Sequence, residues 1–193
     1  KILFNNSIAD KNYLDILTDK LIEKAVIIYR KRLEYIDFIN GSINKYYKEI
    51  ADFEGLSVEY LTSFGIKNLT DEEIKDKLKD YFNKYYNKEL NYGMTIYGPH
   101  RDDFYFNFNG NDLKYFGSQG QQKLAVLCLK LSEIGLFKEV SGFNPVILLD
   151  DIFSELDIKK RNRLLKFVGD NDIQSIITTP HLKSIKKKYL NES

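Results

Sequence analysis

One cysteine, Cys128, stands in 193 residues, so the chain has no internal disulfide, and no C-x-x-C pair or Cys/His cluster offers a zinc site. A reducing, cytoplasmic setting is the expectation. An excess of either charge is also missing: 29 Lys+Arg oppose 28 Asp+Glu for a formal net charge of +1, which excludes a polybasic tail and leaves any nucleic-acid contact to local patches. No apolar run approaches the roughly 18 residues of a membrane-spanning helix, and the start, Lys1-Ile2-Leu3-Phe4-Asn5-Asn6, lacks the apolar core of a signal peptide. There is no internal repeat and no low-complexity linker. The loop G-x-x-x-x-G-K-[ST], which cradles nucleotide phosphates, is absent as well. Gly93 to Gly98 has its glycine spacing but runs on into Pro99-His100, with neither the lysine nor the hydroxyl.

What is present is enough chain, 22.7 kDa, for one sizeable core or two small ones. Lysine makes up 24 of the 29 basic residues, and Asn, Ile and Tyr are abundant, a pattern of AT-rich coding that makes lysine clusters weak signals. The chain opens on Lys1 rather than Met, as a piece of a longer protein or a processed product does.

From about Lys11 to Asn40, Leu14, Leu17, Leu21, Ala25, Ile28, Leu33 and Ile36 recur at helical spacing and predict a long amphipathic helix. Gly41-Ser42 interrupts it, Ser42 can cap a second helix to about Asp52, and Leu56 to Leu61 alternates as a short strand. Thr70-Asp71-Glu72-Glu73 is a capping box before a helix with Ile74, Leu78, Phe82, Tyr85 and Leu90 on its apolar stripe, ending near Gly93. Beyond Gly93 the pattern changes. Phe104 to Phe108, the turn Asn109-Gly110, and Asp112 to Phe116 predict a β-hairpin. Ser118 opens a helix bearing Leu124, Leu127, Leu131 and Ile134, and Pro145 to Leu149 has the continuous apolar character of a buried parallel strand. A helix from about Asp157 to Val168 and a strand from Ile173 to Thr178 complete a βαβ unit, with a short basic helix after it.

Two constellations can carry chemistry. Val146 to Leu149 delivers Asp150 and Asp151 at a strand's C-terminal end, where open α/β sheets bind ligands. There Asp150 can hold a Mg²⁺ that bridges phosphates, and Asp151 can orient or deprotonate an attacking water. A solvated strand end or helix cap accounts for the pair equally well. Gly117-Ser118-Gln119-Gly120-Gln121-Gln122 places free backbone N–H groups at a helix N-terminus, which favours an anion, but Ser118 with Gln121 is also an ordinary capping box. Ser154-Glu155-Leu156-Asp157 follows the acids and can simply cap the next helix. The order of these pieces is more specific than any one of them.

Across Gly98-Pro99-His100-Arg101-Asp102-Asp103, Gly117 to Lys123 and Leu148 to Asp157, the sequence resembles the RecF family of bacterial recombination mediators. These are ABC-type ATPases related to the structural-maintenance-of-chromosomes proteins. The likeness extends more weakly over the helical half, through Lys31-Arg32-Leu33-Glu34-Tyr35-Ile36. It implies that Ser118, Gln119, Gly120 and Gln121 are the signature motif contacting ATP held by the other subunit of a head-to-tail homodimer. It implies Asp150 as the Walker B metal holder, Asp151 as the catalytic carboxylate in place of the usual Glu, and Ser154 to Asp157 as the D-loop. The shorter Asp151 implies slow hydrolysis. The switch position falls near Thr178-Thr179; Thr179 is taken for it, and His181 is read as a surface residue. With the phosphate loop upstream of the matched region, the chain resembles the C-terminal part of such a protein and holds half of an ATP site.

The expected architecture is α/β: the C-terminal lobe of an ABC-type ATPase head, parallel strands with flanking helices, over residues 93–193, plus a mainly helical arm subdomain over 1–92. The resemblance implies ATP and Mg²⁺ as cofactors, available only with the missing N-terminal part and a second subunit. It implies double-stranded and gapped DNA and a RecR-type mediator protein as partners, no membrane, and a role in replication, repair, recombination and the SOS response by directing recombinase loading at gaps. The parent is expected to be a slow ATPase and this piece inactive alone. The alternative is a non-enzymatic dimerisation or scaffold module whose arm binds protein or DNA. A chromosome-maintenance head fits less well, because an arm of about 90 residues is too short for their long coiled coils. Elsewhere plain readings prevail: Arg101 ion-paired with Asp102 or Asp103, the basic residues of the first helix (Lys20, Lys24, Arg30, Lys31, Arg32) and Lys186-Lys187-Lys188 solvated, Tyr46-Tyr47 and Tyr85-Tyr86 packed, Cys128 inert in the core.

Overall fold

Helix α1 occupies Lys11–Asn40 and α2 Ile43–Ala51, followed by strand β1 at Leu56–Leu61 and helix α3 at Asp71–Tyr92. These come from a computed structural model of the chain, which describes residues 11–171 and 173–179. After a single 3₁₀ turn at Pro99–Arg101 come β2 (Asp103–Phe108), β3 (Asn111–Asp112), the one-turn α4 (Leu113–Phe116), α5 (Gln119–Ser141), β4 (Ile147–Leu149), α6 (Ile158–Asp170) and β5 (Ser175–Ile177). The basic helix expected after β5, with Lys186 to Lys188 and His181, lies outside the described residues.

The chain forms two compact units, Lys1–Ile36 with Tyr60–Phe104 and Asp37–Glu59 with Tyr105–Ser193. Each is assembled from two stretches of sequence, a division different from the single change of pattern at Gly93.

In the first unit, Ile22, Ala25, Val26 and Tyr29 of α1 meet Phe64, Ile66 and Ile74, Leu78, Phe82 of α3 in one buried cluster. The inward side of α1 thus runs through Tyr29, whose ring is fully enclosed, while Ile28 is 42 % exposed and does not join the stripe. Both positions fit helical spacing; the edge-on contact of Tyr29 with Phe64, centroids 6.2 Å apart, shows which one the core takes. The Thr70–Glu73 capping box forms in both directions, and Gly93 ends α3 in the left-handed conformation that costs glycine least. Arg30 reaches the Asp71 carboxylate at 2.6 Å and the Leu69 carbonyl, so it is not a solvated lysine-like residue.

In the second unit α2 packs on α5 and α6. Tyr47 is fully buried, and Tyr46 sits edge-on against Phe167 at 4.9 Å, so this tyrosine pair is packing, as expected. Ser42 precedes α2 at the N-cap but makes no capping bond; its hydroxyl is buried without a partner. Strands β1, β2 and β3 form one sheet in that order. The second hairpin strand is only two residues long, because Asp112 accepts from the Lys114 amide and turns Leu113–Phe116 into helix. Strands β4 and β5 pair in parallel, Ile147 with Ser175, Leu148 with Ile176 and Leu149 with Ile177, and α6 connects them as the βαβ pattern requires. The expected fully buried run Pro145 to Leu149 buries only Leu149; Leu148 and Ile176, opposite one another, stay 73 % and 57 % exposed. One face of this strand pair is core and the other is open.

Candidate nucleotide site

Ser118 is the N-cap of α5, and its hydroxyl accepts from the Gln121 amide at 3.3 Å while Gln121 Oε1 accepts from the Ser118 amide at 2.8 Å. The capping alternative is therefore realised in full. Gln119 and Gly120 occupy the first helical positions, where backbone N–H groups have no intrahelical acceptor. The approach is fixed by Gln122, a residue that sequence reading gave no role: its Nε2 donates to the carbonyls of Lys114 at 3.1 Å and Gly117 at 3.0 Å. Gly117 is needed there, since a Cβ would lie 2.7 Å from the Leu113 carbonyl oxygen.

Asp150 and Asp151 follow β4 directly, and both are exposed. They are organised by Thr178, the residue after β5. The Thr178 hydroxyl donates to Asp150 Oδ1 at 2.5 Å and accepts from the Asp151 amide at 3.0 Å, while the Thr178 amide donates to the Leu149 carbonyl at 3.0 Å. Asp151 has φ 46° and ψ 25°, a left-handed conformation uncommon for a residue with a Cβ. The Ser154 hydroxyl closes the turn by donating to the Asp151 carbonyl at 2.9 Å. Asp157 caps α6, accepting from the Lys160 amide at 2.9 Å; the hydrogen bond from the Lys160 side chain, with that of its amide, holds the carboxyl below its ordinary value. Thr179, half-buried, comes next after Thr178. The structure thus brings Asp150, Asp151, Ser154 and Thr178 into one hydrogen-bonded group, with Ser118 to Gln121 as a second, self-contained one. The sequence placed Thr178 beside the switch position without this role, which depends on the parallel pairing of β4 with β5.

A second buried polar group lies in the first unit. The Asp102 side chain is wholly enclosed; its Oδ2 accepts from the Tyr60 hydroxyl at 2.7 Å and lies 4.0 Å from Arg32, while Oδ1 has no hydrogen bond. Burial pushes the Asp102 carboxyl above its ordinary value, against the opposing pull of the Tyr60 hydroxyl and Arg32. Arg32 also donates to Tyr60 at 3.0 Å and to the Pro99 carbonyl at 2.6 Å. The expected pairing of Arg101 with Asp102 or Asp103 gives way to contacts with the Thr95 carbonyl and the Met94 sulfur, because Arg32 approaches Asp102 instead. Arg32 is likewise not a solvated residue of α1.

Asp150 suits a Mg²⁺ that is also held by phosphates: such ions take one or two carboxylates from the protein, and no cluster of three metal-ligating side chains exists among the described residues. Among those residues, no helix is long and apolar enough to cross a membrane.

A parallel strand pair ending in two acids, joined by a helix and preceded by a serine-capped helix, is the C-terminal lobe of an ABC-type ATPase head. No family model matches the chain. It is 37 % identical over 186 residues to the DNA replication and repair protein RecF of an Exiguobacterium species, covering 95 % of this chain and 50 % of that protein. It is 40 % identical over 169 residues to RecF of Caldanaerobacter subterraneus, covering 87 % and 46 %. A solved structure of the recombination mediator RecF with ATPrS superimposes with a TM-score of 0.76 at 36 % identity, covering 93 % of this chain and 48 % of that one. One with ATP gives a TM-score of 0.74 at 38 % identity, covering 88 % and 45 %. The chain matches the C-terminal part of RecF. It spans about half the length of the curated relatives it matches.

Proposed function

We propose that this chain supplies the C-terminal half of a recombination mediator that closes as an ATP-dependent homodimer on DNA. The intact protein binds double-stranded and gapped DNA in the cytoplasm and works with a RecR-type protein to direct recombinase loading. Bound ATP and Mg²⁺ supply the phosphoryl group and the charge that neutralises it. Asp150 is the residue of this chain that would hold the metal, and Asp151 the one that orients or deprotonates water. In the signature role given to Ser118, Gln119, Gly120 and Gln121 at the N-terminus of α5, the Gln119 and Gly120 backbone N–H groups, which the cap leaves free, would meet the phosphate held by the opposite subunit, with Asp157 in the D-loop role and Thr179 at the switch position.

The observation that carries this reading is the Thr178 bridge. It holds one carboxylate at the end of β4 and fixes the backbone of the next in a left-handed turn, an order that a solvated strand end does not require. The test is a RecF-length protein containing this chain, assayed for ATP-dependent dimerisation and hydrolysis. Asp150→Asn should abolish turnover and Asp151→Glu should raise it. Turnover unchanged by both, with dimers forming without ATP, would establish the scaffold reading instead.

A further inference from the structure

The hairpin of β2 and β3 carries a reactive residue pair that the nucleotide-site reading does not use. Asparagine followed by glycine is prone to lose its side-chain amide, because glycine has no Cβ to keep its backbone nitrogen away from the asparagine carbonyl. The chain has two such pairs, Asn40-Gly41 and Asn109-Gly110. The structure treats them differently.

Asn40, the last residue of α1, is half-buried and has both ends of its side-chain amide engaged. Its Oδ1 accepts from the Val58 amide at 2.8 Å, and its Nδ2 donates to the Val58 carbonyl at 2.9 Å. The Gly41 amide donates to the Asp37 and Phe38 carbonyls, both at 3.1 Å. Electrophile and nucleophile are both tied down.

Asn109 and Gly110 form the exposed turn between the two strands, with φ of 50° and 86°. The Asn109 side chain lies against Gly55, where an added Cβ would overlap its amide. Its Nδ2 donates to the Glu54 carbonyl at 3.3 Å, a longer bond than either made by Asn40, and its backbone amide donates to the Gly55 carbonyl at 3.0 Å. The Gly110 amide, which would be the nucleophile, donates to Asn107 Oδ1 at 2.8 Å. Only the pairs Asn107 with Asp112 and Phe108 with Asn111 close the ladder behind this turn, so little backbone pairing resists its opening.

We propose that Asn109 is a deamidation site and that Asn107 governs its rate. Once deprotonated, the Gly110 nitrogen attacks Asn109 Cγ; the Cγ–Nδ2 bond breaks, ammonia leaves, and a succinimide ring remains. Water opens that ring at one carbonyl or the other, leaving aspartate or isoaspartate at position 109. No electrons are transferred, and water is the sole co-reactant. While Asn107 Oδ1 holds the Gly110 proton, the attack waits. Either product alters the turn. Aspartate replaces the donor facing the Glu54 carbonyl with a carboxylate oxygen. Isoaspartate routes the main chain through the former side chain and adds a carbon to a two-residue loop whose length sets the strand register. The change does not reverse, so it marks the age of the hairpin. This inference is independent of the ATP reading.

The test is incubation of the folded 193-residue chain in mildly alkaline buffer, followed by peptide mapping with mass spectrometry. The Asn109 peptide should deamidate well before the Asn40 peptide and yield both aspartate and isoaspartate. Asn107→Ala should speed the loss at Asn109 about two- to tenfold, the weight of one hydrogen bond, whereas Asn107→Asp keeps an acceptor oxygen and should react no faster than the parent chain. Circular dichroism melts identify variants that remain folded. If Asn107→Ala does not, the order of Asn109 and Asn40 in the parent chain decides the matter. The proposal is overturned if Asn40 deamidates as fast as Asn109, or if Asn109 reacts in urea but stays intact in the folded chain. It is also overturned if folded Asn107→Ala reacts at the parent rate, or if aspartate forms without isoaspartate, since that outcome is direct hydrolysis without attack by Gly110.

Discussion

Thr178 donates its hydroxyl proton to Asp150 Oδ1 at 2.5 Å across 28 residues of chain. The Thr178 hydroxyl oxygen also accepts from the Asp151 amide, so one side chain sets the position of one acid and the backbone of the next. Thr178→Val keeps the shape and removes both bonds. Each is worth about 0.5–1.5 kcal/mol and both acids are exposed, so the expected loss is about 1–2 kcal/mol in urea unfolding, with Thr178→Ser near the parent value. Equal loss in Val and Ser variants would mean that packing, not hydrogen bonding, gives Thr178 its role.

Ser118 has a structural duty besides the proposed one. Ser118→Ala should cost about 0.5–2 kcal/mol through loss of the cap, whereas Ser118→Asp retains a capping oxygen and should melt close to the parent chain. In a RecF-length protein, Ser118→Asp should still oppose ATP-dependent dimerisation, because it sets a carboxylate against a phosphate. Normal dimerisation in that variant would remove Ser118 from the proposed interface.

Gly117→Ala brings a methyl group to 2.7 Å from a backbone oxygen, a contact that needs the Leu113–Gly117 turn to shift. We expect a loss of more than about 1 kcal/mol and faster exchange of the amides at the start of α5. A neutral substitution would show that the turn adjusts freely.

Asp102 gives a pH signature of known sign. A carboxyl raised in the folded state binds its proton more tightly there than in the unfolded chain, so its contribution is greatest below the ordinary value of 3.8 and declines as pH rises through the raised one. Asp102→Asn removes that titration. The stability of the parent chain relative to this variant should therefore fall with rising pH above 3.8. A rise over the same interval would mean that Arg32 and Tyr60 outweigh burial.

Cys128 is buried, and burial pushes its thiol well above the ordinary range. A thiol reagent should label the folded chain only as fast as it unfolds, which urea-dependent labelling rates will measure. Rapid labelling without denaturant would place Cys128 at an opening surface.

Much of this was legible in the sequence. α1, β1 and α3 begin and end where apolar spacing, the Thr70–Glu73 box and Gly93 put them, because caps and periodicity act between residues a few positions apart. Asp150 and Asp151 at a strand end and Ser118 at a helix start were equally visible, as was the likeness to RecF. The order of residues could not tell Ile28 from Tyr29, show that β3 stops after two residues, or reveal that Leu148 faces outward. Each of those depends on which neighbour occupies the space alongside. The same holds for Thr178 on Asp150, Arg32 near Asp102, and Tyr29 against Phe64, which join residues 28, 70 and 35 positions apart. Local chemistry fixes where elements start and stop; contacts between distant residues exist only once the chain has folded, and here those contacts arrange the candidate site.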